Sequence, residues 1–233
     1  MSAQTKAIFT PKTIVQVLLV VFFAPLIPMI ISSQWDWPEA WAYAIVSSLT
    51  FIISRVLAGR RHPDLLAERA RFLEAKDTKP WDKILAPLLG LGSILILVVA
   101  GLDRYYGWSN GFSLGVKLVA FTGLIVGYIF SSWAILENRF FSGTVRIQNE
   151  RGHHVVSTGP YQVVRHPGYA GGLLGFLLIP ILLESWWAFI PAILLVLVII
   201  IRTALEDKTL QEELPGYKEF TRKTRYRLIP GIW

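Results

Sequence analysis

The chain has no cysteine. That absence excludes a disulfide framework, a thiol nucleophile and a thiolate metal site. Charge is scarce as well. Only 17% of the 233 residues are Asp, Glu, Lys or Arg, against about 25% in a soluble domain. Histidine occurs four times, as His62, His153, His154 and His166. None of these pairs has the spacing that places two imidazoles on one helix face, so no metal site is expected. Neither a phosphate-binding Gly-rich loop nor a dinucleotide fingerprint is present. No repeat and no low-complexity tract interrupts the chain. No Ser/Gly/Pro linker divides its apolar runs, so a single bundle is expected.

What the chain has instead is apolar length. Hydrophobic residues make up 53% of it, and nine residues are Trp. Mean hydropathy is +0.49. Several runs approach the roughly 20 residues a helix needs to cross a bilayer. The first is residues 14–31. It contains Pro25 and Pro28 and lacks a small-residue cleavage pattern, so it reads as a retained span rather than a signal sequence. A short acidic, Trp-bearing turn (residues 32–39) leads to a second span, about 40–57. The charged stretch 55–83 follows, with residues 64–74 forming a short surface helix. A third span covers about 84–100 and a fourth about 113–136. The apolar stretch 170–204 is too long for one crossing and is broken near Glu184. It reads as a hairpin of spans five and six.

Charge placement orients this layout. The formal net charge is +7. Eight Lys/Arg lie in 55–83, four in 137–168, seven from Arg202 onward and two before the first span, making 21 of the 23. The opposite turns keep Arg104, with Lys117 just inside span four. Basic residues gather on the cytoplasmic side of membrane proteins. The expected architecture is therefore an all-α, polytopic membrane helix bundle with about six transmembrane helices, a C-terminal helical hairpin, and both termini cytoplasmic. Residues 1–136 would hold spans one to four. Residues 137–233 would hold the hairpin and a cytoplasmic cofactor-binding segment. The basic loops need only lipid headgroups as partners, not nucleic acid.

One stretch concentrates chemistry: Thr158-Gly159-Pro160-Tyr161-Gln162-Val163-Val164-Arg165-His166-Pro167-Gly168-Tyr169-Ala170-Gly171-Gly172. Pro167 biases His166 away from helix and fits the first turn of span five. A helix start there should offer backbone N–H groups and a positive dipole end to an anion. Arg202 and Glu206 follow at the end of span six, four residues apart and so on one face. Asp207 lies on a neighbouring face.

This order of elements resembles the isoprenylcysteine carboxyl methyltransferase family and the related phospholipid methyltransferases: Gly159-Pro160-Tyr161, then Arg165-His166-Pro167-Gly168-Tyr169, a broken hairpin, Arg202, Glu206-Asp207, and Gly216-Tyr217. The likeness covers about residues 148–230. It implies an integral membrane enzyme using S-adenosylmethionine on a lipophilic or lipid acceptor. It implies cofactor contacts from Gln148, His153, Tyr161, Arg165, His166, Pro167, Tyr169, Gly172, Glu206 and Asp207. Arg202 is a candidate to orient the acceptor, and Asn138 or Glu137, at the polar end of span four, could take part in binding it. Where eukaryotic isoprenylcysteine enzymes carry a further basic residue near the end of the preceding span, this chain has Ser131-Ser132-Trp133. Membrane sterol reductases using NADPH share an Arg-His-Pro-like turn, but with Asn before the Tyr where this chain has Gly168. A non-enzymatic membrane protein is the third alternative.

Overall fold

Helices carry the apolar runs, with polar turns between them. The computed structural model describes residue 15 and residues 17–70 and 77–233. The first polar segment and the end of the expected 64–74 surface helix lie outside the described residues. Near the N-terminus the helix changes pitch, passing through a π turn (Leu19–Phe23) and a 3-10 turn (Ala24–Leu26) into α1 (Ile27–Ser32). The described part of the expected first span, 14–31, is therefore not one regular α-helix. Pro25 and Pro28 carry no N–H to continue an α-helical ladder.

Four longer helices follow: α2 (Pro38–Arg61), α4 (Asp82–Tyr106), α5 (Leu114–Glu137) and α7 (Phe189–Glu213). Each is long and apolar enough to cross a membrane. The short α3 (Pro63–Ala70) sits after α2. The apolar helix α6 (Pro167–Leu182) is shorter than the four, and α8 (Tyr217–Lys223) follows α7. No strand occurs among the described residues. The expected break near Glu184 is present. Glu184 itself turns the chain with φ 56°.

Large apolar side chains face outward on these helices, including Ile53 on α2, Leu91 on α4 and Val119 on α5. A soluble bundle would bury such stripes, whereas a lipid-facing surface requires them. The inner core is built from Met29, Trp37, Ile96, Leu124, Leu183 and Leu195.

Helices α5 and α6 pack closest. A Cβ on Gly171 would lie 2.3 Å from Gly127 O and 2.3 Å from Ser131 Oγ. Small residues let the two backbones touch, and Ser131 Oγ donates to Gly168 O at 3.0 Å. This contact sets where the α6 N-terminus, and hence His166, stands against the end of α5. The opposite end of the bundle is clamped by ions. Lys117 pairs with Glu39 and with Glu184, and buried Asp103 accepts from Ser109 Oγ (2.6 Å) and Ser185 Oγ (2.5 Å).

Two substitutions test the helix contact. Gly171→Val should destabilise by about 1–3 kcal/mol, because overpacking forces the backbones apart. Gly90→Ala meets nothing within 4 Å and should be neutral or slightly stabilising. Thermal unfolding midpoints in one detergent would check both. Equal midpoints for the two variants would contradict the close-packing account.

Candidate functional site

A cleft of about 780 Å³, counting its open mouth, lies where the ends of α5, α6 and α7 meet the segment 138–156 and α8. Its position follows from two buried carboxylates on different helices.

Asp207, on α7, has no solvent exposure. Arg165 grips it with Nε to Oδ1 at 2.7 Å and Nη2 to Oδ2 at 3.0 Å. Arg227 Nε (2.9 Å), Tyr217 OH (3.1 Å) and Gln211 Nε2 (2.9 Å) donate to it as well. His166 Nε2 is 3.3 Å away. Arg165 Nη1 donates onward to Thr224 O and Arg225 O. The Arg165 and His166 amides donate to Tyr226 O and Arg227 O. One carboxylate thus ties the motif, α7 and the C-terminal segment together. Burial works against the Arg165 cation, and Asp207 more than offsets it, lifting its pKa further.

Asp82, the first residue of α4, is also fully buried. It accepts from Arg202 Nε (2.6 Å) and Nη2 (2.9 Å) and from Val145 N (2.6 Å). Arg202 lies over the Tyr169 ring at 5.2 Å. The Tyr169 hydroxyl donates to Glu206 Oε2 at 2.5 Å. Glu206 lines the cleft.

The opposite wall is the 138–156 segment. Asn138 caps α5, donating through Nδ2 to Tyr161 OH (3.1 Å) and accepting from Phe140 N (2.8 Å). Buried Gln148 donates to Phe140 O at 2.8 Å. His153 Nδ1 accepts from Gln148 N at 3.3 Å, and its ring packs on Phe140. Burial is the main cause that brings the His153 pKa down to about 4, helped by His154, Arg151 and Arg146. Burial pushes the Tyr161 and Tyr217 phenols up. All three therefore stay neutral near pH 7. The segment is pinned from outside by salt bridges. Arg146 bonds Glu68, Asp77 and Glu150. Burial raises the Asp64 pKa, but Arg151 and Arg139 outweigh it and hold that carboxyl at about 2.

Of the residues named from the sequence, Asn138, Gln148, His153, Tyr161, Arg165, His166, Pro167, Tyr169, Arg202 and Glu206 all line this cleft. Two stand off its wall. Gly172 faces Ile199 across the α6–α7 contact, and Asp207 lies behind Arg165 as an anchor. The α6 start offers fewer free N–H donors than expected. Pro167 has none, and the Tyr169 and Ala170 amides both turn back to His166 O at 3.1 Å. Sequence reasoning missed Asp82, Phe140, Phe141, Arg146 and Phe220. An acid opening an apolar run was the one visible signal for Asp82. Its partner lies 120 residues away, and nothing in the sequence announces that pairing.

The wall combines one carboxylate, several aromatic rings and an apolar bed of Val155, Val156, Leu210 and Leu214. Such a lining suits a ligand with a flat apolar part and a cationic group. Residues 111–215 match the family model of phospholipid methyltransferases. The chain is also 34% identical over 80 residues to Protein-S-isoprenylcysteine O-methyltransferase B of Arabidopsis thaliana. The family read from the motif is borne out over this segment. The methyltransferase-like match takes in α5, which the motif alone did not include. The aligned part covers 34% of this chain and 36% of that relative, so the chain spans about a third of the length of the curated relative it matches.

Two measurements test the site's construction. Asp82→Asn leaves the Arg202 cation buried and unpaired, and should cost about 3–5 kcal/mol of stability. His153 predicts a pH dependence. Its folded pKa lies below the unfolded value of 6.5, so the unfolded chain takes up the proton first. Stability is full above pH 6.5 and falls as pH drops through 4, by on the order of 1–3 kcal/mol. His153→Gln should flatten that part of a thermal-stability profile. An unchanged slope would remove His153 as its source.

Proposed function

We propose that this protein is an S-adenosylmethionine-dependent methyltransferase of a membrane, acting on a lipophilic acceptor. The observation that carries the reading is convergence. The motif residues Arg165 to Tyr169, the acid Glu206, and Gln148 and His153 line one cleft, although Tyr169 and Glu206 are 37 positions apart in the chain.

The residues present fit the cofactor. Glu206 offers a carboxylate to its amino group. Phe140, Phe141, Tyr169 and Phe220 offer ring faces to a sulfonium or a base. Gln148 and His153 offer polar edges, with His153 neutral. When bound, the cofactor would supply an activated methyl group for transfer to the acceptor. The protein's part is placement and exclusion of water. Tyr169 holds Glu206 in position, and the Asp82–Arg202 pair holds Tyr169. Asn138 and Tyr161 orient the acceptor's polar end at the foot of α5. The cleft opens at the ends of apolar helices, so the acceptor enters from the bilayer. The basic loops on the same side support a cytoplasmic cleft.

Calorimetric titration of purified protein with S-adenosylhomocysteine tests this reading. Binding should weaken about 10- to 100-fold in Glu206→Gln, the loss expected for a hydrogen bond to a charged group. His166→Ala should also weaken it, and NADPH should not bind. Absence of S-adenosylhomocysteine binding, or equal affinity across these proteins, would refute the assignment.

A further inference from the structure

The chain beyond α8 lies outside the segment 111–215 that matches the family model, yet it closes over the motif. Backbone carbonyls of four consecutive residues face Arg165 and His166. Thr224 O (2.9 Å) and Arg225 O (2.7 Å) accept from Arg165 Nη1. Tyr226 O accepts from the Arg165 amide at 2.9 Å, and Arg227 O from the His166 amide at 3.0 Å. Thr224 Oγ1 donates back to Tyr161 O at 3.1 Å. These bonds set the main chain at Arg165 and His166. They leave the imidazole free to turn about its own side-chain torsions.

The Arg227 side chain adds a second hold. Its Nε donates to Asp207 Oδ2 at 2.9 Å, and its guanidinium lies over the Trp233 ring at 5.0 Å. The other carboxylate oxygen, Oδ1, is 3.3 Å from His166 Nε2. An ionised carboxylate only accepts, so Nε2 carries the hydrogen of that contact. Each Asp207 oxygen thus meets three donors. Oδ1 takes Arg165 Nε, Tyr217 OH and His166 Nε2. Oδ2 takes Arg165 Nη2, Gln211 Nε2 and Arg227 Nε. Without Arg227 the carboxylate still has Arg165 at both oxygens, Tyr217 and Gln211, so the knot persists. Its link to the Arg227 side chain is gone, and the acceptor facing His166 is free to shift.

Through the imidazole the hold reaches the cleft. His166 lines it and stacks on Tyr169, with ring centroids 5.8 Å apart and planes 5° from parallel. The Tyr169 hydroxyl in turn donates to Glu206. Arg227 is not part of the cleft lining, and its side chain keeps 31% of its surface exposed. An ion pair between two exposed groups contributes little. Here the partner carboxylate has no exposure, and a hydrogen bond to a buried charge is worth more.

We infer that Arg227 is a positioning residue for the cofactor cleft. Its carbonyl fixes the His166 backbone and its guanidinium fixes the His166 ring through Asp207. A side chain outside the family-matched segment thereby tunes cofactor affinity without touching the cofactor. The inference rests on the methyltransferase reading for the identity of the ligand, whereas the placement of the ring is independent of it.

The test uses the full chain in one uncharged detergent, well below its unfolding midpoint. Calorimetric titration with S-adenosylhomocysteine should give an affinity about five- to tenfold weaker in Arg227→Met. Arg227→Lys, which keeps a cationic donor for Asp207, should recover most of the loss. In a His166→Ala background Arg227→Met should cost nothing further, because residues that act through one another are not additive. Wild-type affinity in Arg227→Met, with or without a lowered unfolding midpoint, would make Arg227 merely structural and overturn the inference. A full additional loss in the His166→Ala background would do the same. The His166 ring gives a readout that needs no ligand. In protein carrying isotope-labelled histidine, with the signals assigned through His166→Ala, Arg227→Met should shift the His166 Nε2 resonance and leave that of His62 in place. An unmoved His166 resonance overturns the positioning. Should Arg227→Met fail to fold, Arg227→Gln must show the same loss of affinity and the same shift. Failure of wild-type protein to bind S-adenosylhomocysteine would strike the methyltransferase reading, and the His166 resonance would still decide the placement of the ring.

Discussion

The bidentate bond between Arg165 and Asp207 is the contact on which the cleft end of this protein depends. Desolvating a carboxylate completely is unfavourable by several kcal/mol unless its oxygens are fully bonded. Here donors from three parts of the chain meet that need: Arg165 ahead of α6, Gln211 on α7, and Tyr217 and Arg227 beyond it. Because the carboxylate must be satisfied by all of them at once, their relative positions are fixed together. The cleft is the space left in front of that knot. Asp82 does the same for Arg202 and the 143–145 turn, fixing the other wall.

The apolar spans and these polar knots answer one constraint from two directions. In a bilayer the helices gain nothing from hiding apolar side chains from lipid, so they associate through close packing. The Gly127–Gly171 approach is the clearest case. It lets α5 and α6 run nearly in backbone contact and brings the Asn138 cap beside Tyr161. Ionisable groups are pushed to the ends of the helices and must pair there. At one end they form a closed clamp, Lys117 with Glu39 and Glu184. At the other end they leave a cavity, since the 138–156 segment is held off by its own salt bridges to α3 and the residues after it. A methyl-transfer site needs such a place, dry enough to protect a reactive cation and open to an acceptor that stays in the membrane.

What the sequence by itself determined is the material on each side of that division. Apolar run lengths yielded the helices, because crossing a bilayer demands continuous hydrogen-bonded backbone. Pro167 located the start of α6, since a fixed φ and a missing N–H suit a first turn and nothing deeper. The motif order and the acid Glu206 marked residues that do line the cleft. Only the tertiary structure decided which ions neutralise which. Glu206 and Asp207 are neighbours in the chain, yet one faces the cleft and the other anchors Arg165, because a helix turns by about 100° per residue. Arg202, which looks free to meet an anion when read along the chain, is neutralised by Asp82, 120 residues before it. Arg55 and Arg69, unremarkable in the charged stretch 55–83, have no carboxylate partner among the described residues; Arg69 instead donates to the Phe141 and Ser142 carbonyls. Pairing over such distances depends on burial and geometry, and local sequence carries neither.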